Sequence, residues 1–190
     1  LARTSYAVRE VITSPDLMLG AYYSKKTFTH YIPSLADGSL KLARFADIRR
    51  EFNDLIERYN VQTVCAYNIA FDRNALKETM QHCGMIGKFL DHKIAFVDLW
   101  LSSCVALVNT NKYRAWCAAN GFVSDAGNVR TSAECVYAYL TQNPRFTESH
   151  TAIEDCEIEA YILARIIQRK QKIQRNKIHA MPWQIVQRKK

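Results

Sequence analysis

The chain has 190 residues, with 26 Lys+Arg against 18 Asp+Glu and a formal net charge of +8; that length suits one domain with a short appendage. Nearly half the residues, 48%, are apolar, which excludes collagen-like, disordered and coiled-coil chains. No eighteen-residue uncharged apolar run exists, since the best candidate, 94–108, is broken by Asp98, Ser102 and Ser103, so a membrane-spanning helix is excluded as well.

In chain order, Tyr6 to Thr13 reads as a strand, ended by Ser14-Pro15-Asp16. The apolar and aromatic stretch from Leu17 to Tyr31 predicts a short helix, and Ala36-Asp37-Gly38-Ser39 a turn. Phe45, Ile48, Phe52, Leu55, Ile56 and Tyr59 fall on one stripe, so an amphipathic helix is expected from Phe45 to Tyr59. A short buried strand is expected at Thr63 to Tyr67, a helix from Phe71 to Cys83 stopped near Gly84, and a strand at Ile94 to Leu99 running into a helical stretch from Ser102 to Val108. Tyr113 to Asn120 predicts a helix with Gly121 just past its end. Ser124 to Val129 reads as loop, and Thr131-Ser132-Ala133-Glu134 as a capping box opening a helix to Leu140. The last long helix is expected from about Ala152 to Gln174. Helices alternating with short apolar strands predict an α/β fold, in one domain spanning 1–190 with a basic C-terminal helix and tail from about residue 165.

The charge is unevenly spread. Residues 160–190 hold nine basic groups (Arg165, Arg169, Lys170, Lys172, Arg175, Lys177, Arg188, Lys189 and Lys190) and no Asp or Glu. Such a segment can follow a phosphate backbone, or simply form a solvated helix end whose cations suit the helix dipole. The six cysteines form no C-x-x-C pair, which predicts neither a zinc ribbon nor a disulfide framework and points to a reducing, cytoplasmic setting.

Two segments carry candidate chemistry. In Ala66-Tyr67-Asn68-Ile69-Ala70-Phe71-Asp72 a strand ends, Asn68 occupies the turn, and Asp72 falls on the first turn of the next helix. That puts a carboxylate at the C-terminal end of a strand, where open α/β sheets build their sites; an acid at a helix start is also ordinary for electrostatic reasons alone. In Ser149-His150-Thr151-Ala152-Ile153-Glu154-Asp155, Thr151 and Glu154 form a plausible capping box, which leaves His150 just outside the helix and Asp155 in its first turn. Asp98, which ends the strand Phe96-Val97-Asp98, can approach the same site or serve as a strand-end cap or turn residue.

Taken together, N-x-x-F-D (Asn68 to Asp72) followed by H-x-A-x-x-D (His150 to Asp155) resembles the second and third motifs of the DEDDh, DnaQ-like 3′–5′ exonucleases. The surrounding text, Asn128 to Glu134 and Phe146 to His150, is similar to the small bacteriophage and prophage members. The resemblance runs from about Tyr6 to Val186. It implies a ribonuclease H-like fold, a mixed sheet flanked by helices. It further implies two Mg²⁺ or Mn²⁺ ions held with the help of Asp72 and Asp155, His150 as the general base, and Asn68 and Phe71 positioning the last nucleotide of single-stranded DNA, or of RNA. The residue types suit that chemistry: hard cations take oxygen ligands, and an imidazole near neutrality suits proton removal.

The family's first motif, D-x-E on the first strand, is missing. The single D-x-E is Asp155-Cys156-Glu157, and on a helix two positions apart means about 200° of rotation, so those carboxylates cannot converge. An early Glu10 lacks an aspartate two residues before it, at Val8. The expectation is that the D-x-E strand lies upstream of Leu1 and that the chain as given is inactive without it. The competing expectation is a pseudo-exonuclease that binds nucleic acid through its basic tail without cutting.

Overall fold

A parallel strand pair needs a crossover, and this chain supplies two. The computed structural model describes residues 5–90, 93–149, 151–170 and 172–186. It is mixed α/β, as expected, with two separate two-stranded parallel sheets. The chain divides into two compact units, one of Leu1–Gln62 with Asn74–Lys93, the other of Thr63–Arg73 with Ile94–Lys190.

In the first unit, β1 (Ser5–Val8) pairs with β2 (Leu40–Ala43), Ser5 opposite Leu40 and Val8 opposite Ala43. The expected strand to Thr13 stops at Val8, and α1 (Arg9–Ile12) follows at once. The reason is distant in sequence. In helical geometry, Glu10 turns its carboxylate to accept from the Phe45 N–H at 3.0 Å, capping α5 (Phe45–Arg58). The predicted helix over Leu17 to Tyr31 is broken into α2 (Pro15–Met18), α3 (Ala21–Lys26) and a wide turn at Thr27–Tyr31, with α4 (Ile32–Ala36) beyond. Helix α5 buries Phe45 and Ile56 from its stripe, and Phe89 packs its ring against Phe45 and Phe52 at 5.5 and 5.4 Å.

In the second unit, β3 (Thr63–Ala66) pairs with β4 (Ala95–Asp98), Thr63 opposite Ala95 and Ala66 opposite Asp98. Their crossover carries α6 (Ile69–His82), of which the part to Arg73 belongs to this unit and the part from Asn74 to the first. From β4 the chain runs into α7 (Leu99–Ser103), a wide turn at Cys104–Val108, and α8 (Asn111–Ala119), which Gly121 ends at φ +78°. Helix α9 (Ala133–Thr141) is capped by Ser132, whose hydroxyl accepts from the Cys135 N–H. Glu134 does not close the expected box; it accepts from the Glu148 N–H instead. Helix α10 (Ala152–Gln168) buries Ile158, Ile162 and Ile166, one row at i, i+4, i+8, and packs on α9 and α7. It ends six residues short of the expected Gln174, because Lys170 takes a left-handed φ of +54°.

The chain then returns to β4. Arg175 bridges Val97 in antiparallel fashion, the Asn176 N–H donates to the Phe96 carbonyl at 2.7 Å, and the Asn176 side-chain oxygen accepts from the Phe96 N–H at 2.9 Å. A short 3₁₀ turn, Pro182–Ile185, closes the described chain. The core of this unit is dense. Cys104, Leu107, Val108, Tyr113, Cys117, Val136 and Ile162 are all fully buried. The cysteines act as small core hydrophobes, and burial pushes the Cys104 thiol up to about 12.

Candidate functional site

The second unit gathers carboxylates at the C-terminal end of β3. The chain leaves β3 through Tyr67 and Asn68, and Asn68 adopts a left-handed φ of +65°, a conformation asparagine tolerates better than most residues. That reversal starts α6 early, at Ile69, and puts Asp72 in its first turn. Burial pushes the Asp72 carboxyl above the ordinary range, and the nearby charge of Asp155 pushes it further, against the restraining pull of its own backbone N–H. The charge of Asp155 thus reaches Asp72 from a different helix, as the lesser influence beside burial.

Asp155 lies in the first turn of α10. Its Oδ1 is buried and without a hydrogen-bond partner. A buried carboxylate oxygen left unpaired is costly unless something positive meets it. The predicted capping box beside it takes another form. Thr151 is the N-cap by backbone geometry but makes no side-chain cap bond, while Glu154 reaches past it to accept from the Ser149 N–H at 3.0 Å. His150 lies outside the described residues. Phe71 stands open to solvent at 68% exposure, and Asn68 is half-buried.

One member of the group escaped the sequence reading. Glu159 is one helical turn beyond Asp155, on the same face of α10. Its carboxyl is pushed up to about 7 by burial, and by the charges of Asp72, Asp155 and Glu148, while the Tyr67 backbone N–H holds it down. The signal was the i, i+4 spacing from Asp155, which is equally the spacing of any solvated helix face. The neighbouring thiols feel the same field: burial and then Glu159 push both Cys65 and Cys156 up.

Asp98 is a contrasting case. It is 2% exposed and ends β4. Its Oδ1 accepts from the N–H groups of Trp100 at 2.9 Å and Leu101 at 3.2 Å, the strand-end cap expected of it.

The donor chemistry suits a hard dication, since carboxylates offer oxygen ligands and one buried Asp155 oxygen has no partner. Among the described residues, no three His, Cys, Asp or Glu side chains come together as a ready-made cage. Mg²⁺ does not require one: it is commonly held by one or two carboxylates, with waters and substrate phosphates completing its shell.

Comparisons of the chain with family models, with curated proteins and with solved structures found no match. No helix among the described residues is long and apolar enough to cross a membrane.

Proposed function

We propose that the protein is a metal-dependent 3′–5′ exonuclease of the DnaQ-like kind, with a ribonuclease H-like fold, that trims single-stranded DNA or RNA from its 3′ end and releases nucleoside 5′-monophosphates. The observation that carries this reading is that Asp72, in the helix after a parallel strand, feels the charge of Asp155, about eighty residues further on in sequence. It is supported by the unpartnered Asp155 oxygen and by the motif text around both aspartates.

Asp72 and Asp155 would hold two Mg²⁺ or Mn²⁺ ions, which when bound supply charge stabilisation for an in-line displacement at phosphorus. The remaining work falls to the chain itself. His150 takes the proton of the attacking water, as an imidazole titrating near neutrality can. Exposed Phe71 offers an aromatic face to the terminal base, and Asn68 fixes the turn between them. Glu159 retains a proton near neutral pH while the carboxylates crowd one another, and releases it when positive charge arrives.

The test uses protein from the complete reading frame with 5′-labelled single-stranded DNA and RNA. The expected result is a ladder shortening from the 3′ end only with Mg²⁺ or Mn²⁺, abolished in Asp72→Asn, Asp155→Asn and His150→Ala. Full cleavage in all three variants overturns the assigned roles. A second reading, binding without cutting, is favoured by residues 160–190, which hold nine basic groups and no Asp or Glu. It predicts salt-sensitive binding of single strands and no metal-dependent product.

A further inference from the structure

The second unit contains a cleft of about 650 Å³ that shares no residue with the carboxylate group. One wall is the 122–131 segment. Val123 bridges Val129, the Ser124 N–H donates to the Asn128 carbonyl at 2.9 Å, and Gly127 supplies the positive φ of +78° at the tip. This wall is fixed to the core beneath it. The Tyr113 hydroxyl donates to the Arg130 carbonyl at 2.7 Å, and Thr131 takes bonds from the Tyr67 hydroxyl and the Trp100 indole N–H. The opposite side is the Pro182–Ile185 turn, which brings Trp183 to the rim.

Two guanidiniums line this cleft, Arg114 and Arg130. Arg114 donates to the Val186 carbonyl, which orients it and leaves further N–H groups to give. Arg130 lies over the Phe122 ring at 6.0 Å, and Phe122 stacks on Trp116 at 5.1 Å and 12°. The cation is thus braced on a column of rings rather than paired with an acid. No Asp or Glu lines the cleft among the described residues, and no carboxylate there forms an ion pair with either arginine. Apolar side chains, Ala118, Val123 and Val129, also line it.

We infer that this cleft binds a nucleotide unit, its phosphate on Arg114 and Arg130 and its base against Trp183. A guanidinium presents N–H groups in a fork that suits phosphate oxygens, and two of them line this cleft. A flat indole beside apolar wall gives a base its stacking surface. The volume falls within the range of small-ligand sites, about 300–1,000 Å³. A purely anionic partner would have no use for the indole and the valines, and a purely apolar one would strand two cations. The same chemistry is presented by a free nucleotide and by one unit of a single strand. Binding at this cleft does not depend on the cleavage reading.

The experiment therefore uses the full chain in EDTA, with no divalent metal. Fluorescein-labelled oligothymidylate is followed by anisotropy, with thymidine monophosphate, inorganic phosphate and a hexaglutamate peptide as competitors. Trp183→Leu is expected to weaken oligonucleotide binding about 10-fold, with Trp183→Phe recovering most of it. Arg130→Gln is expected to lower the salt slope by about 1 and weaken binding several-fold. Thymidine monophosphate competing as well as the oligomer identifies a free nucleotide as the ligand; a much weaker monomer identifies a strand. Either supports the cleft. Unchanged binding in both Trp183→Leu and Arg130→Gln overturns it. So does equal competition by inorganic phosphate or by hexaglutamate, since charge alone would then account for the effect.

Discussion

Two aspartates stand at the ends of paired parallel strands, and the chain uses them in opposite ways. Asp98 ends β4 and gives its oxygen to the Trp100 and Leu101 N–H groups that start α7. Burial raises the proton affinity of both, but Asp72, which follows β3 across a left-handed Asn68, also feels the charge of Asp155. The difference shows that position at a strand end does not make a functional carboxylate. What matters is whether the adjoining helix consumes the charge. Asp98 is spent on its cap, while the Asp72–Asp155 pair has charge left over, including one buried oxygen with no partner.

That contrast is sharpest in activity. On the proposed function, Asp72→Asn and Asp155→Asn are expected to lower metal-dependent cleavage by at least about 100-fold, the scale of removing a group that stabilises transition-state charge, while leaving the melting temperature unchanged or slightly higher. Single-turnover cleavage and thermal melts on the same preparations check both halves. Asp98→Ala should do the reverse. It strands two backbone donors in a buried site and is expected to cost about 1–3 kcal/mol of stability in chemical denaturation. If Asp72→Asn destabilised the protein as much as Asp98→Ala, the distinction between the two sites would fail.

A smaller effect comes from pH. Glu159 keeps its proton to about pH 7 in the folded chain, against 4.5 ordinarily. Between those values the folded state holds a proton that the unfolded state has released, so stability falls as pH rises through that window and is level above it. For a group only partly withdrawn from solvent the drop is about 1 kcal/mol. Melting curves at pH 5 and pH 8 should show it, Glu159→Gln should remove it, and Mn²⁺ at pH 8 should offset it. The smallest change is expected from Phe71→Ala. An exposed ring contributes less than about 0.5 kcal/mol to stability, while affinity for a 3′-terminal nucleotide should drop several-fold in a binding assay.

The parts of the molecule that were legible in the sequence are those fixed by local pattern. The α5 stripe, the two apolar strands of the second unit and the Gly121 stop all stand close to where periodicity and turn chemistry put them. Failures occurred where a distant partner decided the outcome. The stretch after Val8 is rich in β-branched residues and reads as strand, yet it becomes helical where Glu10 caps α5 thirty-five positions on. Strand β2 was missed because Leu40–Ala43 is too short for an alternating pattern to stand out from the turn before it. In the site, Asp72 and Asp155 could be singled out because each belongs to a motif. Glu159 could not, because nothing in its neighbours distinguishes a carboxylate facing two others from one facing water.

The Asn176 contact with Phe96 bears on how the basic segment can be studied. By mimicking a neighbouring strand, one asparagine side chain and its backbone shield the outer rim of β4 from other molecules. Truncating the chain after α10 to remove its cations would also strip that shield, and self-association would then masquerade as lost affinity. Charge-neutralising replacements at Lys170, Lys172 and Lys177 keep the shield in place and separate the two effects.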